Sequence, residues 1–287
     1  MIAIADSGST KTEWCLVEKT GQIHSRCFTP GMNPYFQTEE QMTAMIQQVL
    51  YPQWTGLVID AVYFYGAGCA FPEKNVLVEK AIHSCWSVPV EVNSDLMAAA
   101  HALCGTETGI ACILGTGSNS CLYDGKGVKE QISPLGFILG DEGSGAVLGK
   151  LLIGDCLKHQ LPASLCQEFM ETYQLTPATI LEHVYKKPFP NRYLASFVPF
   201  LKEHLDVEPV FQLVYRSFDA FIRRNVMQYT GHDRYPVHFV GSVAFYFQSV
   251  LRQVLEKYEL TPGKIEKAPM DGLILYYQYF GKFLPKN

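Results

Sequence analysis

The sequence contains no CxxC pair, although it carries nine cysteines, at positions 15, 27, 69, 85, 104, 112, 121, 156 and 166. An odd number without paired spacing argues against a disulfide framework, a zinc site or an iron–sulfur cluster. Cys15, Cys112 and Cys121 lie inside apolar segments, where a thiol behaves as a small hydrophobic side chain. We therefore expect most of the cysteines to be reduced core residues.

Long apolar runs and clusters of basic residues are also missing. No apolar segment reaches membrane-spanning length, and the chain enters a predicted strand at Ile2, which argues against a signal peptide. The net charge of -5 is spread along the 287 residues without a basic block, so binding to nucleic acid or to an anionic membrane is disfavoured. With 48% hydrophobic and 18% charged residues, these absences predict a cytoplasmic globular protein whose length allows two domains.

Two common nucleotide-binding motifs are absent as well. No Walker A pattern occurs, and the segment GTGSNS at residues 115–120 lacks the third glycine of a dinucleotide fingerprint. P-loop and Rossmann interpretations therefore lose support.

Polar turns between apolar strands, however, are present twice. Residues 2–17 read IAIADSGSTKTEWCLV, two strands joined by a turn of small hydroxylated residues around Gly8. Such a turn brings backbone N–H groups close to an anion, and Lys11 can add a point charge, although turns of this kind are most often only hairpin loops. Residues 110–123, IACILGTGSNSCLY, repeat the pattern in the second half of the chain. The repeat predicts two related lobes that face a shared polyphosphate.

The segments between the hairpins predict an α/β fold. Residues 60–65 and 88–92 are predicted strands on either side of a helix over 74–85, a β-α-β unit with a parallel pair. Asp95 falls where the second strand ends and a helix begins, at the edge where open α/β sheets place their chemistry. Ser94 or Asp95 could instead simply cap the helix. The two roles are compatible, because the helix dipole keeps a carboxylate ionised.

A glycine-rich acidic segment, GFILGDEGSG at residues 136–145, precedes another apolar helical run. Glu142 fits a first-turn acid that complements the helix dipole. For Asp141, the glycines on both sides bring bare backbone to a polar side chain, as a hydroxylated ligand would require.

These motifs, in this order, resemble the BadF/BadG family of the actin-like, sugar-kinase and heat-shock ATPase superfamily, and within it the N-acetylglucosamine kinases. The matching segments are ADSGSTKT (5–12, first phosphate loop), NSD (93–95, connecting carboxylate), ILGTGSN (113–119, second phosphate loop), GFILGDEGS (136–144, the most distinctive stretch) and VGSVA (240–244, adenosine segment). The resemblance covers nearly the whole chain. It implies a two-lobed actin-like ATPase (ribonuclease H-like) α/β fold with a central mixed sheet in each lobe, ATP-dependent phosphorylation of an amino sugar, and a homodimer.

The resemblance also implies roles residue by residue. Asp6 matches a carboxylate that holds magnesium, and Asp95 matches the carboxylate that contacts the sugar hydroxyl and acts as the base. The positions that match ATP contacts are Ser9, Thr10, Lys11, Gly115, Thr116, Gly117, Gly241 and Ser242. The positions that match sugar contacts, besides Asp95, are Asn33, Ser118, Asn119, Gly136 and Asp141.

One departure from the family pattern concerns the sugar. Pro134-Leu135 precede Gly136, where the N-acetylglucosamine kinases carry Gly and Trp. N-acetylglucosamine is therefore the first expected substrate, while the hexosamine and the phosphorylated hydroxyl stay open.

Two other classes stay open at this point. The family also contains ATPase activators of 2-hydroxyacyl-CoA dehydratases, which hold an iron–sulfur cluster through cysteines at a dimer interface; no cysteine pair here has suitable local spacing. The superfamily also contains sugar-sensing repressors, but no DNA-binding extension precedes Ile2, and such a sensor gives Asp95 no role. We expect lobes at 1–107, with 271–287 packing back on it, and at 108–270.

Overall fold

Two five-stranded sheets organise the chain in the computed structural model, which describes residues 1–8 and 10–280. The first sheet belongs to a unit formed by residues 1–106 and the chain from Ala268, and the second belongs to a unit formed by Glu107–Lys267. Both sheets combine parallel and antiparallel pairs. The α/β class predicted from the sequence, with a central mixed sheet in each half, is confirmed.

The strands of the first unit are β1 (Ile2–Ser7), β2 (Lys11–Val17), β3 (Ile23–Pro30), β4 (Ala61–Gly66) and β5 (Val90–Ser94). They are ordered β3-β2-β1-β4-β5. The three strands that are successive in sequence pair antiparallel as hairpins, whereas β4 pairs parallel with both β1 and β5. The parallel pair β4 and β5 is the predicted β-α-β unit.

The strands of the second unit are β6 (Thr108–Leu114), β7 (Ser118–Asp124), β8 (Val128–Glu130), β9 (Val237–Val240) and β10 (Pro262–Glu266). Their order is β10-β9-β6-β7-β8. Here too the first three strands pair antiparallel, and β9 pairs parallel with β6 and β10. Strand by strand, the second sheet therefore repeats the topology of the first.

The helices are distributed unequally. In the first unit they are α1 (Glu39–Met45), α2 (Pro72–His83) and α3 (Asp95–Cys104). In the second unit they are α4 (Gly136–Leu139), α5 (Gly145–Leu157), α6 (Ala163–Thr172), α7 (Pro177–Tyr185), α8 (Pro190–Ala195), α9 (Val198–Glu203), α10 (Glu208–Arg224), α11 (Ser242–Tyr246) and α12 (Gln248–Lys257). The last helix, α13 (Met270–Phe280), packs against α3 and β1 of the first unit. The sequence predicts a terminal helix over 271–283, and the predicted end at residue 283 lies outside the described residues.

Helices cover both faces of the first sheet. Alternate residues of each strand point to opposite faces, so each strand contributes side chains to both layers. Ala3 and Ala5 of β1 belong to the cluster that includes the buried side chains of α1 and α2. Ile2 and Ile4 belong to the cluster that includes α3 and α13. A strand buried on both faces needs the continuous apolar run that β1 has in the sequence.

Two predicted helices differ from the observed ones. The helical spacing of Met42, Met45, Ile46 and Val49 predicts one helix over 38–49, but the structure changes from α1 to a π-helical turn at Ile46–Leu50, followed by a 3₁₀ turn at Tyr51–Trp54. The sequence also predicts one helix over 245–258, but the structure interrupts it at Phe247, whose backbone leaves helical geometry and whose ring is fully buried. Burial of this ring outweighs local helix propensity, and the break separates α11 from α12.

Seven of the nine cysteines are buried. This agrees with the expectation that most are core residues. Within residues 1–8 and 10–280, no helix is both long and apolar enough to cross a bilayer.

Candidate functional site

The first polar hairpin is held from inside the first unit. The Gly8 N–H donates to the Lys11 carbonyl at 3.0 Å and closes the turn. Ser7 Oγ and Thr12 Oγ1 are buried 2.7 Å apart, and the Met32 N–H donates to Ser7 Oγ at 2.9 Å. These two hydroxyls therefore anchor the hairpin to the loop after β3.

The exposed tip of this hairpin is the part that is available to bind an anion. Thr10 and Lys11 are both exposed, and the Thr10 carbonyl accepts from the Gly31 N–H at 3.0 Å. Lys11 Nζ lies 4.6 Å from the centroid of the Phe28 ring, a cation–π contact that orients the ammonium group. Ser9, also predicted to contact ATP, lies outside the described residues.

Asp6 and Asp95 form a pair of interacting carboxylates at the ends of β1 and β5. Burial raises the pKa of Asp6 to about 7, and the charges of Asp95 and Glu13 add to this effect, while Lys11 opposes it. Burial also raises the pKa of Asp95, partly offset by the Leu96 N–H, which donates to Asp95 Oδ1 at 2.8 Å. Their negative charges are poorly compensated within the first unit, which is the condition in which a cation binds favourably.

The capping question at Asp95 is decided by the helix geometry. Ser94 is the N-cap of α3, and its Oγ accepts from the Met97 N–H at 3.2 Å. Asp95 is the first residue of the helix. Because Ser94 caps the helix, the Asp95 carboxylate is available for another role.

Asn33 lies in the loop after β3, where its side chain shapes a turn. Asn33 Oδ1 accepts from the Tyr35 N–H at 2.9 Å, and the Asn33 N–H donates to Gln37 Oε1 at 2.8 Å. A Cβ atom on Gly68, which has a φ of +85°, would lie 2.6 Å from Asn33 Oδ1. Glycine at this position therefore lets the turn after β4 approach the Asn33 side chain.

The second polar hairpin is tied to the start of α5. The Gly115 N–H donates to the Gly117 carbonyl at 3.0 Å. The carbonyls of Gly115 and Thr116 accept from the N–H groups of Gly145 and Ala146 at 2.8 and 3.0 Å. Two N–H groups from the first turn of α5, which have no partner inside the helix, are thereby satisfied by the hairpin.

Asp141 lies against this second hairpin. Its carboxylate accepts from the Ser118 N–H, and a Cβ atom on Gly117 would lie 3.1 Å from Asp141 Oδ2. Burial raises the pKa of Asp141 to about 6, with a further contribution from Glu142. The sequence-predicted residues Gly117, Ser118 and Asp141 are therefore brought together.

The segment that presents Asp141 has an unusual backbone. Leu135, Gly136 and Asp141 have φ values of 62°, 74° and 54°, in the left-handed region. The Asp141 N–H donates to the Pro134 carbonyl at 2.9 Å and closes the segment into a loop. Aspartate tolerates this conformation better than most residues, because its short polar side chain bonds locally.

Glu142 has a different environment from the one predicted. Since α5 begins at Gly145, Glu142 is not in the first turn of the helix. Its carboxylate instead pairs with Arg224 Nε at 2.6 Å and accepts from Asn225 Nδ2 at 3.4 Å. The prediction of a first-turn acid is wrong, because a contact with the distant end of α10 determines its position.

Ser118 and Asn119 follow the hairpin turn at the start of β7. Ser118 is buried, and Asn119 Oδ1 accepts from the Ser120 N–H at 2.9 Å and from Gln131 Nε2 at 3.1 Å. The Asn119 side chain is therefore held in one orientation by β7 and the segment after β8.

A cavity of about 430 Å³ opens beside the second hairpin, inside the second unit. Its lining is formed by Gly115, Thr116, Gly145, Ala195, Val198, Pro199, Lys202, Glu203, Ser242, Val243, Tyr246 and Phe247. Gly115, Thr116 and Ser242 were predicted from the sequence. Gly241 has a φ of +125°, and a Cβ atom there would lie 2.3 Å from the Leu114 carbonyl oxygen, so glycine lets the β9–α11 turn contact the hairpin.

The remaining lining residues were missed by sequence reasoning. Ala195, Val198, Pro199, Lys202 and Glu203 belong to α8 and α9, in a region whose apolar spacing suggested only core helices. Tyr246 and Phe247 lie at the predicted helix after VGSVA. Only the small residues of that turn indicated a ligand in the sequence.

The class of protein follows from similarity to solved structures. No protein-family model and no curated protein matches the sequence. Across 97% of the chain, the structure of the "Putative N-acetylglucosamine Kinase" from Porphyromonas gingivalis matches with 50% identity and a TM-score of 0.94, covering 99% of that chain.

Two more distant structures share the fold. The "Putative N-acetylglucosamine Kinase" from Chromobacterium violaceum is 16% identical, with a TM-score of 0.65, over 97% of this chain and 99% of that chain. A ROK family glucokinase from Streptomyces griseus is 15% identical, with a TM-score of 0.57, over 96% and 97% of the two chains.

The duplicated mixed sheets, each with a polar hairpin at the end of its central strand, define the class as an actin-like ATPase fold of the sugar-kinase type. With 50% identity over nearly the full length, the chain belongs to the same family as the Porphyromonas gingivalis protein. The family predicted from the sequence motifs is confirmed.

Proposed function

We propose that this protein transfers the γ-phosphoryl group of ATP to a hydroxyl of an amino sugar, with N-acetylglucosamine as the first candidate. The name of the Porphyromonas gingivalis relative supports this reaction. The structural observation that carries the proposal is the environment of Asp95. Its carboxylate is desolvated and interacts electrostatically with Asp6, and it does not cap the helix because Ser94 does. A kinase needs this combination of an acceptor for the hydroxyl proton and a neighbouring acid for the metal.

Asp95 is the proposed general base. Its pKa is raised by burial, and a carboxylate with a raised pKa is a better proton acceptor than one in water. The Leu96 N–H occupies Oδ1 and fixes the carboxylate, which leaves Oδ2 for the sugar hydroxyl. Positioning of that hydroxyl is the main contribution, since phosphoryl transfer needs alignment and charge stabilisation more than covalent chemistry.

Asp6 is the proposed magnesium-holding residue. Mg²⁺ binds through one or two carboxylates, water and substrate phosphates, and the Asp6 carboxylate has the oxygen donors and the uncompensated charge that fit. When bound, Mg²⁺ supplies neutralisation of the phosphate charge. Protonated Asp6 is a poor ligand, so its pKa of about 7 predicts weaker metal binding below neutrality.

The ATP phosphates and the nucleoside have separate proposed positions. We assign the phosphates to the positions that the family resemblance implies, namely Ser9, Thr10, Lys11 and residues 115–117. The nucleoside is assigned to the cavity bounded by Ser242 and supported by Gly241. A volume of about 430 Å³ is in the range of small-molecule sites.

The proposed sugar contacts are the positions that the family resemblance implies: Asn33, Asp95, Ser118, Asn119, Gly136 and Asp141. Asp141 is the strongest of these, because a partly buried carboxylate in a left-handed turn is well suited to accept hydrogen bonds from hydroxyls.

The working state of the protein is also part of the proposal. A homodimer is expected from the family resemblance, and a cytoplasmic location suits an enzyme that consumes ATP. Size-exclusion chromatography with light scattering measures the first of these directly.

The proposed reaction is tested by a coupled ADP-release assay over a panel of hexoses and N-acetylhexosamines. We expect sugar-dependent ADP release, greatest for an N-acetylhexosamine, with ³¹P NMR of the product identifying the phosphorylated hydroxyl. The control is Asp233→Asn, an exposed carboxylate that is not among the proposed site residues. ADP release that no sugar stimulates would contradict the proposed function.

A further inference from the structure

The cavity beside the second hairpin has walls of a particular kind. Its buried lining is apolar or small, with Gly145, Val243 and Phe247 among the buried residues. Val198 and Pro199 add aliphatic surface, and Tyr246 adds an aromatic ring. Flat bases bind well to such surfaces by stacking and apolar contact, which every base can make.

The charged side chains at this cavity are exposed to water. Lys202 and Glu203 on α9 are both exposed, as is Ser242 at the start of α11. Lys202 Nζ lies 5.9 Å from the centroid of the Phe247 ring. A hydrogen bond from an exposed group replaces one with water, so its net contribution to discrimination between bases is small.

The backbone at the cavity offers only isolated groups at helix ends. Most of the lining belongs to α5, α8, α9 and α11, and in the short helices α8, α9 and α11 the backbone groups of the first and last turns lack partners inside the helix. In the hairpin, the carbonyls of Gly115 and Thr116 accept from α5, and the Gly115 N–H donates to Gly117. An extended backbone segment, which could present an N–H and a carbonyl side by side to a base edge, does not occur among the described lining residues.

From these walls we propose that the cavity holds the base of a nucleoside triphosphate by stacking and apolar contact without reading the base edge, so that ATP and GTP both serve as phosphoryl donors. This inference rests on the proposed function, since it takes the cavity as the nucleoside site. Apolar pockets reject related ligands by about 10²-fold at most, whereas sites that hydrogen-bond a polar group reject analogues by about 10⁴- to 10⁵-fold. The ratio of kcat/KM for ATP over GTP is therefore below about 100.

Tyr246 is the residue with the largest expected effect on nucleoside binding. The residue is 45% exposed and lines the cavity, with Lys267 Nζ 5.1 Å from its ring centroid and the Phe245 ring centroid 5.6 Å away. Loss of a stacking ring costs about 5- to 150-fold in affinity. Tyr246→Ala should weaken ATP and GTP by similar factors, and Tyr246→Phe should restore both.

The experiment measures binding and catalysis separately. Displacement of a fluorescent ATP analogue by ATP, GTP and ITP gives the affinities, and the ADP- or GDP-release assay gives kcat/KM. The variants are Tyr246→Ala, Tyr246→Phe and Glu203→Gln, with Glu256→Gln on the exposed side of α12 as the matched control. In the supporting result, the ATP to GTP ratio stays below about 100 in the native protein, and Glu203→Gln changes that ratio less than about threefold.

A ratio above about 100, or a ratio that collapses in Glu203→Gln, would overturn the inference, because Glu203 would then recognise the base edge. Unequal losses in Tyr246→Ala would overturn it as well. If ATP and GTP bind alike but no sugar is phosphorylated, the proposed reaction fails while this inference stands. If sugar is phosphorylated with ATP alone, the inference fails and the proposed reaction stands.

Discussion

The two units share one sheet topology but differ in the candidate functional residues that they carry. β3-β2-β1-β4-β5 and β8-β7-β6-β9-β10 match strand for strand, and each central strand leads into a polar hairpin. The first unit has the coupled carboxylates Asp6 and Asp95. The second has the cavity and Asp141, with its additional helices inserted between β8 and β9. The duplicated scaffold determines where chemistry can occur, and the residues after the strands determine which chemistry it is.

The hairpins themselves show the same contrast. In the first unit, Ser7 and Thr12 bond to the loop after β3, so the hairpin is fixed by its own side chains. In the second, the hairpin carbonyls bond to the first turn of α5. The second hairpin is therefore bonded to the start of a helix, whereas the first is bonded to a loop.

The largest expected effect tests the chemical role of the first unit. Asp95→Asn keeps the shape of the side chain but removes the proton acceptor, so kcat should fall by about 10²- to 10⁴-fold. The measurement is steady-state ADP release with saturating sugar, and circular dichroism checks the fold. Nearly native turnover in Asp95→Asn would mean that the base lies elsewhere, with Asp141 the next residue to test.

A second effect concerns the contribution of the carboxylate pair to the pH dependence of the protein's stability. Because the pKa of Asp6 rises from 3.8 to about 7 on folding, the folded state holds a proton that the unfolded state releases between these values. The free energy of unfolding should therefore fall as pH rises from about 4 to about 7. At about 1.4 kcal/mol per pH unit, the loss attributable to Asp6 is up to about 4 kcal/mol.

Asp6→Asn removes this dependence. We expect the variant to be more stable than the native protein at pH 8 and equally stable at pH 4, as measured by urea unfolding. Mg²⁺ should narrow the difference at pH 8 by stabilising only the native carboxylate pair. A variant less stable than native at pH 8 would show that Asp6 makes a net stabilising interaction when charged.

A third effect tests the second unit. Asp141→Asn tolerates the left-handed backbone but loses the charge, so sugar affinity should fall about 10- to 150-fold, corresponding to about 1.5–3 kcal/mol for a hydrogen bond to a charged group. Native sugar affinity should also weaken below pH 6, where Asp141 becomes protonated. Isothermal titration calorimetry measures the sugar affinity, with Glu142→Gln as the neighbouring control. Equal losses of sugar and ATP affinity would indicate a structural role.

The smallest effect separates capping from catalysis. Ser94→Ala removes the Oγ that accepts from the Met97 N–H, so the protein should lose about 1 kcal/mol of stability, while kcat changes only a few-fold. Urea unfolding and the ADP-release assay measure the two quantities. A loss of kcat as large as that in Asp95→Asn would show that the capping geometry itself positions the base.

The elements that could be predicted from the sequence are those specified locally. The apolar run of β1, the glycine-centred turns and the junction of Asp95 with α3 each depend on residues close in sequence, where strand period and capping rules apply. The family motifs added the fold and the candidate residues, and similarity to the Porphyromonas gingivalis structure confirmed the family. The sequence also predicts a strand over 237–240, and β9 has these bounds.

Tertiary structure alone decided the remainder. The cavity is assembled from α5, α8, α9, α11 and the second hairpin, so an apolar residue such as Val198 has the same spacing in sequence whether it faces a core or a ligand. Glu142 forms an ion pair with Arg224, which is distant in sequence. The break between α11 and α12 accompanies the burial of Phe247 among residues that are also distant in sequence. The raised pKa values of Asp6 and Asp141 likewise depend on burial and on neighbouring charges, which a linear pattern does not contain. The sequence by itself determined which residues could do chemistry, and the packing of distant segments determined which of them are desolvated and brought together.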